Sequence, residues 1–119
     1  MTTDIISLVI CCLMQIENST GQRDLVGDNG AAVGILQIHE VAVREANRIA
    51  GYERWTPADR YSAQESLAMC RLTLEYHRRR GVRDPVRLGC KCNRPYGPIV
   101  TDYRRKMAEQ WARIEAERR

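Results

Sequence analysis

ENSTGQRDLVGDNGAAVGILQI, residues 17–38, is the segment on which the predicted structure of this chain depends. It begins where an apolar segment ends in a single glutamate, Glu17, and it continues as a polar loop with a Gly-Asp-Asn-Gly turn. The chain then re-enters an apolar segment that ends in Gln37 and Ile38. We therefore expect a carboxylate at the end of a buried element to face a glycine-rich loop that carries a second carboxylate, Asp28. Such an arrangement suits general acid chemistry on a polar polymer.

The segment before Glu17, roughly residues 3–16, predicts a helix that is apolar on nearly every side. A helix of this kind is surrounded by other elements instead of lying on the surface. It places Glu17 at a helix C-terminus, where the helix dipole disfavours a negative charge, and partial burial acts in the same direction. We expect both effects to raise the pKa of the Glu17 carboxyl. The alternative is an exposed glutamate at a frayed helix end.

The turn at residues 28–30 predicts a small β-hairpin, because Asn-Gly and Asp-Gly sequences supply the positive φ angles of tight turns. Residues 25–26 would form one strand and residues 32–33 the other. Asp28 then has two possible roles. It either acts as a second acid in the site or bonds its own backbone to form the turn.

The rest of the chain carries mainly helical signals. Ser62 and Glu65 form a capping box that starts a long helix, and Asp84 followed by proline starts a short one. Helices are predicted over residues 40–50, 62–80, 85–89 and 99–117, and loops over residues 52–61 and 90–98.

The length of 119 residues predicts one domain, and the absence of phenylalanine predicts an aliphatic core. Charge is uneven along it. Five arginines and nine acids give residues 1–70 a charge of −4, whereas fourteen basic and six acidic residues give residues 71–119 a charge of +8. The basic half, with Arg78–Arg80 and Arg104–Lys106, could contact nucleic acid, an acidic membrane surface or an anionic cell-wall polymer. It could also be a solvated helix face, and the aromatic interleaving of single-strand binders is missing.

An odd number of cysteines leaves at least one thiol unpaired. Two disulfides are possible in an oxidising compartment, and free buried thiols acting as small hydrophobes are the alternative. A zinc site that also used His77 is less well supported, because a C-x-C spacing is not the usual C-x-x-C knuckle. No metal and no cofactor is therefore predicted. The five cysteines are Cys11, Cys12, Cys70, Cys90 and Cys92.

The N-terminal apolar run predicts neither a signal peptide nor a membrane span. Thr2, Thr3 and Asp4 precede it where a signal peptide would carry positive charge. Gln15 and Glu17 cut it short of the roughly 20 apolar residues that a span needs.

A helix that ends in glutamate, a loop with serine and glycine, a GDNG turn and a G-x-x-Q-I segment together resemble the lysozyme-like superfamily. The most similar branch is the small bacterial and phage lytic-transglycosylase or lysozyme-like domains. The resemblance spans about residues 5–107. The matching positions are Glu17, Ser19, Gly21, residues 27–30, residues 34–38, Asn93 and Tyr103.

The resemblance implies a mainly α, α+β lysozyme-like fold in one domain over residues 1–119. It would have about five helices, with a small β-hairpin or irregular loop near residues 24–34 flanking a glycan cleft. In the superfamily the helix-end glutamate protonates the glycosidic oxygen of peptidoglycan, so Glu17 would be the general acid. If Asp28 lies across the sugar, hydrolysis follows. If it only shapes the turn, Glu17 acts alone and a 1,6-anhydro product forms, as in lytic transglycosylases.

Substrate contacts are implied for five further residues, and two departures from the superfamily pattern bear on them. Arg94 and Pro95 replace the small residues expected after the motif asparagine, and Cys92 replaces the aromatic residue before it. The protein could therefore bind a cell-wall polymer or nucleic acid without turnover, or act on a glycan such as chitin or chitosan. The implied contacts are Ser19, Gln37, Asn93, Tyr96 and Tyr103.

Peptidoglycan as substrate implies action at the cell wall, in the periplasm or outside the cell. No signal peptide is visible in the sequence. A phage-encoded protein, or a chain whose leader has been removed, would reconcile these two observations.

Overall fold

The predicted mainly helical fold with a small hairpin is confirmed. A computed structural model describes residues 4–18, 22, 25–27, 30–93 and 100–118, with the backbone alone at Asn93. Within these residues the helices are α1 (Ile5–Glu17), α2 (Glu40–Ala50), a 3₁₀-helix (Pro57–Tyr61), α3 (Ala63–Arg79), α4 (Pro85–Asn93) and α5 (Thr101–Glu117), and the strands are β1 (Val26–Gly27) and β2 (Ala32–Val33).

Helix α1 is the central element of the core, as its apolar sequence predicts. It begins after Asp4, whose carboxylate accepts a hydrogen bond from the Ser7 N–H at 3.0 Å. This bond, with a second one from the Ser7 hydroxyl, lowers the pKa of Asp4. The helix packs against α3, α4 and α5, whereas Cys11 and Gln15 are exposed, so it is surrounded less completely than its apolar sequence predicts. Its buried side chains are Ile6, Val9, Ile10, Cys12 and Leu13.

The predicted hairpin is also confirmed. Strands β1 and β2 pair antiparallel, with Val26 opposite Val33 and Gly27 opposite Ala32. Both residues of β2 are buried, whereas Val26 is about half exposed. The hairpin therefore buries one strand against the core and presents the other to solvent.

A second cluster of apolar side chains joins α2 to α3 around Trp55. The Trp55 indole N–H donates to the Glu65 carboxylate at 2.7 Å. Ser62 caps α3 as predicted, because its hydroxyl accepts from the Glu65 N–H at 3.2 Å. The second half of the predicted capping box differs, since the Ser62 N–H donates to the Asp59 carbonyl at 3.0 Å and the Glu65 carboxylate accepts from Trp55. The prediction of a loop over residues 52–61 was wrong in its second half, where the 3₁₀-helix forms. Its start is favoured by Pro57 and by Asp59, which accepts the Thr56 N–H at 2.8 Å.

Helix α4 extends beyond its predicted end at Gly89 and continues to Asn93. The prediction was wrong because Gly89 does not terminate the helix. A Cβ atom at this position would overlap the side chain of Met107, which is fully buried on α5. Gly89 therefore permits close contact between α4 and α5 in the middle of a helix.

Gly89→Ala is expected to lower the free energy of unfolding by about 1–3 kcal/mol, because the added methyl group overpacks a filled core. Urea denaturation measures the change. In a Met107→Ala background the same substitution should raise stability by about 1 kcal/mol, because alanine is the better helix former once the space is open. An equal, stabilising effect in both backgrounds would contradict the close contact.

Candidate active site

Glu17 is the last residue of α1, and its side chain is half-buried. The next residue, Asn18, fixes the end of this helix to the hairpin. The Asn18 N–H donates to the Met14 carbonyl at 2.8 Å and closes the last turn. Its buried side-chain amide donates to the Gln22 carbonyl at 2.7 Å and to the Gly34 carbonyl at 3.3 Å. The end of α1, where Glu17 was predicted to lie, is thus bonded to the chain both before and after the hairpin.

The Tyr103 hydroxyl of α5 lies beside the Glu17 carboxylate, within reach as a hydrogen-bond donor. Burial is the main cause of a strongly raised pKa for the Tyr103 hydroxyl, and the negative charge of Glu17 raises it further. Tyr103 therefore stays a neutral hydrogen-bond donor throughout the physiological pH range. The structure brings together two residues that are far apart in the sequence and that were both predicted to belong to the site.

Two thiols lie behind this pair. The Sγ atoms of Cys70 on α3 and Cys92 on α4 are 3.5 Å apart. The hydrogen bond between Cys92 and Cys70 and burial raise the pKa of Cys92, and Glu17 adds to the effect. Cys92 and Tyr103 also pack against the main apolar core. The Glu17 carboxyl is therefore bordered by neutral groups on this side.

Gln37 holds the hairpin to the segment that follows it. Its side-chain amide nitrogen donates to the Leu25 carbonyl at 3.0 Å and to the Gly34 carbonyl at 2.9 Å. Its amide oxygen lies against Gly27, where a Cβ atom would overlap it. Its backbone has φ 48°, an uncommon left-handed conformation for a residue other than glycine. These contacts give Gln37 a structural role, and its contact with substrate stays a prediction.

Gln37→Glu is expected to lower the free energy of unfolding by about 1–3 kcal/mol, because a carboxylate cannot donate to the two carbonyls that the amide serves. Urea denaturation near neutral pH measures the change. Gln15→Glu is a matched control, since Gln15 is exposed on α1. An equal loss in the two variants would contradict the structural role of Gln37.

Three predicted site residues, Ser19, Asp28 and Tyr96, lie outside the described residues. Asn93 is the last residue of α4, which ends directly after Cys92. The choice between hydrolysis and transglycosylation depends on the separation of the Glu17 and Asp28 carboxyls. That choice therefore stays a prediction.

Sequence analysis missed the contributions of Cys70 and Asn18. Cys70 shares one buried face of α3 with Ser66, Met69, Thr73 and Leu74, at helical spacing. That pattern could have placed its thiol in the core, although no pattern within α3 could have identified Cys92 as its neighbour. An asparagine directly after a helix-end glutamate carried no comparable signal.

Some basic side chains of the C-terminal half make local contacts. Arg78–Arg80 are exposed, and the Arg80 guanidinium lies 5.3 Å from the centre of the Tyr76 ring. Arg105 binds Asp102 at 2.8 Å and Glu109 at 2.6 Å along the same helix. These contacts fit a solvated helix face.

No cluster of three or more histidine, cysteine or acidic side chains suited to a metal ion is found in the described part of the chain. His77, considered in the zinc alternative, has a buried Nε2 atom without a hydrogen-bond partner among those residues. Burial lowers the pKa of His77, and the nearby Lys91 lowers it further. The neutral imidazole is therefore explained by its surroundings.

Comparisons with protein families, curated proteins and solved structures found no match to this chain. The lysozyme-like superfamily therefore stays a prediction from the sequence. Among the described residues, no helix combines the length and apolar character needed to cross a membrane. The site must be interpreted from its own geometry.

Tyr103→Phe is expected to flatten the dependence of stability on alkaline pH. The folded chain raises the pKa of Tyr103 above its usual value of 10.0, so its neutral phenol stabilises the fold below that pH. This contribution is lost as the pH rises towards the folded-state pKa. Urea denaturation at about pH 8 and about pH 11 measures the difference between variant and wild type.

Tyr52→Phe is the matched control, because the Tyr52 side chain is largely exposed. At about pH 8, Tyr103→Phe should also cost about 0.5–1.5 kcal/mol for the lost hydrogen bond to Glu17. Identical pH profiles for the two variants would contradict the buried Tyr103–Glu17 pair.

Proposed function

We propose that this protein cleaves β-1,4-glycosidic bonds in the glycan strands of peptidoglycan, with Glu17 as the general acid. The observation that carries the proposal is the Glu17–Tyr103 pair at the end of α1, beside the hairpin. A half-buried carboxyl with a neutral donor beside it suits proton transfer to a glycosidic oxygen. The resemblance of the surrounding sequence to lysozyme-like domains supplies the substrate class.

The surroundings of Glu17 act on the protonation of its carboxyl in two opposing directions. The C-terminus of α1 disfavours negative charge, and so do the neutral thiols and apolar side chains behind the carboxyl. The hydrogen bond from Tyr103 favours the carboxylate and orients it. A general acid needs access to both protonation states during one turnover, because it gives up a proton and later takes one back.

The position of Glu17 is supported from the backbone side as well. Asn18 binds the Gly34 carbonyl, and Gln37 binds the same carbonyl. The end of α1 and the hairpin are thereby held together around one atom. A substrate strand passing over the end of α1 would meet a carboxyl supported by these bonds, and positioned proton transfer requires such support.

The second step follows one of two routes. If Asp28 acts as nucleophile or base on the far side of the sugar, water cleaves the bond and a reducing end forms. If Asp28 shapes the turn alone, Glu17 takes the proton of the substrate's own 6-hydroxyl, and a 1,6-anhydro sugar forms. Ser19, Gln37, Asn93 and Tyr96 are the proposed contacts with the glycan.

Glu17→Gln is expected to lower the rate of muropeptide release from purified sacculi by at least about 100-fold, because glutamine has no proton of suitable acidity to donate. Mass spectrometry of the wild-type digest identifies the products. Anhydro-muropeptides would select the transglycosylase route, and reducing ends would select hydrolysis.

Glu115→Gln is the matched control for this substitution, because Glu115 is an exposed glutamate on α5. Circular dichroism should show that both variants keep the wild-type helix content. Wild-type activity in a folded Glu17→Gln variant would refute the assignment of the acid.

A further inference from the structure

The Cys70–Cys92 pair has no part in the proposed acid chemistry. The two residues lie 22 positions apart on α3 and α4, which pack against each other, and their sulfur atoms are in contact at 3.5 Å. A disulfide bond has a length of about 2.05 Å, so the sulfurs need to approach by roughly 1.5 Å.

The other three cysteines are placed differently. Cys12 and Cys90 are buried, and Cys11 is exposed on the outer face of α1. Within the described part of the chain, the contact between Cys70 and Cys92 is the one in which two thiols from different helices meet. Cys92 is the less buried residue of the pair, so an oxidant would meet it before Cys70.

We propose that Cys70 and Cys92 form a reversible disulfide that joins α3 to α4 behind the Glu17–Tyr103 pair. In the first step the Cys92 thiolate attacks a small-molecule disulfide such as glutathione disulfide, and one glutathione leaves. In the second step the Cys70 thiolate attacks the Cys92 sulfur of the mixed disulfide, and the second glutathione leaves. Two protein thiols are oxidised, one glutathione disulfide is reduced to two glutathione thiols, and the two protons pass to these thiols.

The bond would stabilise the fold chiefly by closing a loop of 22 positions in the unfolded chain. The expected rise in melting temperature is about 10 °C for a chain of this size. It would also fix the end of α4, where Cys92 precedes Asn93 and lies close to Tyr103. Exchange should be slow at neutral pH and faster at alkaline pH, because the thiolate is the attacking species.

Peptide mapping of the whole chain tests the proposal. The reduced protein is incubated with glutathione and glutathione disulfide, its free thiols are blocked by alkylation, and it is digested with trypsin without reduction. Cleavage after Lys91 separates Cys90, on the peptide of residues 88–91, from Cys92, on the peptide of residues 92–104. We expect the latter to be joined to the peptide of residues 61–71, which carries Cys70. Dithiothreitol should reverse both this cross-link and the rise in melting temperature.

Matched variants complete the test. Cys90→Ser should form the same cross-link, whereas Cys70→Ser should not form it or gain thermal stability on oxidation. A Cys11→Ser background removes disulfides between molecules through the exposed thiol. The proposal would be overturned if both Cys70 and Cys92 were alkylated in the oxidised wild type, or if the cross-link joined other cysteines. This measurement uses the wild-type chain, so it does not depend on the folding of a variant.

The disulfide is independent of the proposed glycan cleavage, because it follows from the contact between the two sulfur atoms. The Glu17→Gln variant should form the cross-link in the same amount as wild type. Failure of the acid assignment would therefore leave the disulfide intact. Absence of the cross-link would likewise leave the acid assignment untouched.

Discussion

The carbonyl oxygen of Gly34 accepts hydrogen bonds from two side-chain amides, one of Asn18 and one of Gln37. The first amide belongs to the end of α1 and the second to the segment after the hairpin. Helix and hairpin meet at this atom, and the position of Glu17 depends on it. If either donor were lost, a buried carbonyl would keep only part of its bonding, which costs stability.

Local sequence patterns predicted most of the fold, because the responsible interactions are local. The apolar run of α1, the hairpin turn and the Ser62 cap all act within a few residues of chain. The end of α4 was mispredicted, because Gly89 is a helix-breaking residue by its own preference and is retained in the helix by its fit against another helix. Tertiary contact overrode propensity there, as it commonly does. Pairing of Cys70 with Cys92 was likewise beyond a local pattern.

The candidate site shows the same division. Glu17 was identified from its position at the end of an apolar helix, and Tyr103 from its place in the resemblance to lysozyme-like domains. Their hydrogen bond depends on the packing of α5 against α1, which the sequence does not encode in any single segment. Gln37 was predicted as a substrate contact, and the structure adds bonds to two backbone carbonyls. A polar residue in a glycine-rich segment can belong to the scaffold of a site as well as to its surface.

The contact of Gly89 with Met107 lies close to the part of α5 that carries Tyr103, the neighbour of Glu17. Tyr103 lies four residues before Met107, so both side chains leave the same face of α5 about one helical turn apart. The contact of α5 with Gly89 and the contact of Tyr103 with Glu17 are therefore made from adjacent turns of one helix face. Hydrogen bonds weaken when the two heavy atoms separate by a few tenths of an ångström beyond their usual range. Because Gly89 has no side chain, it lets α5 lie close to α4 one helical turn away from the tyrosine that contacts Glu17.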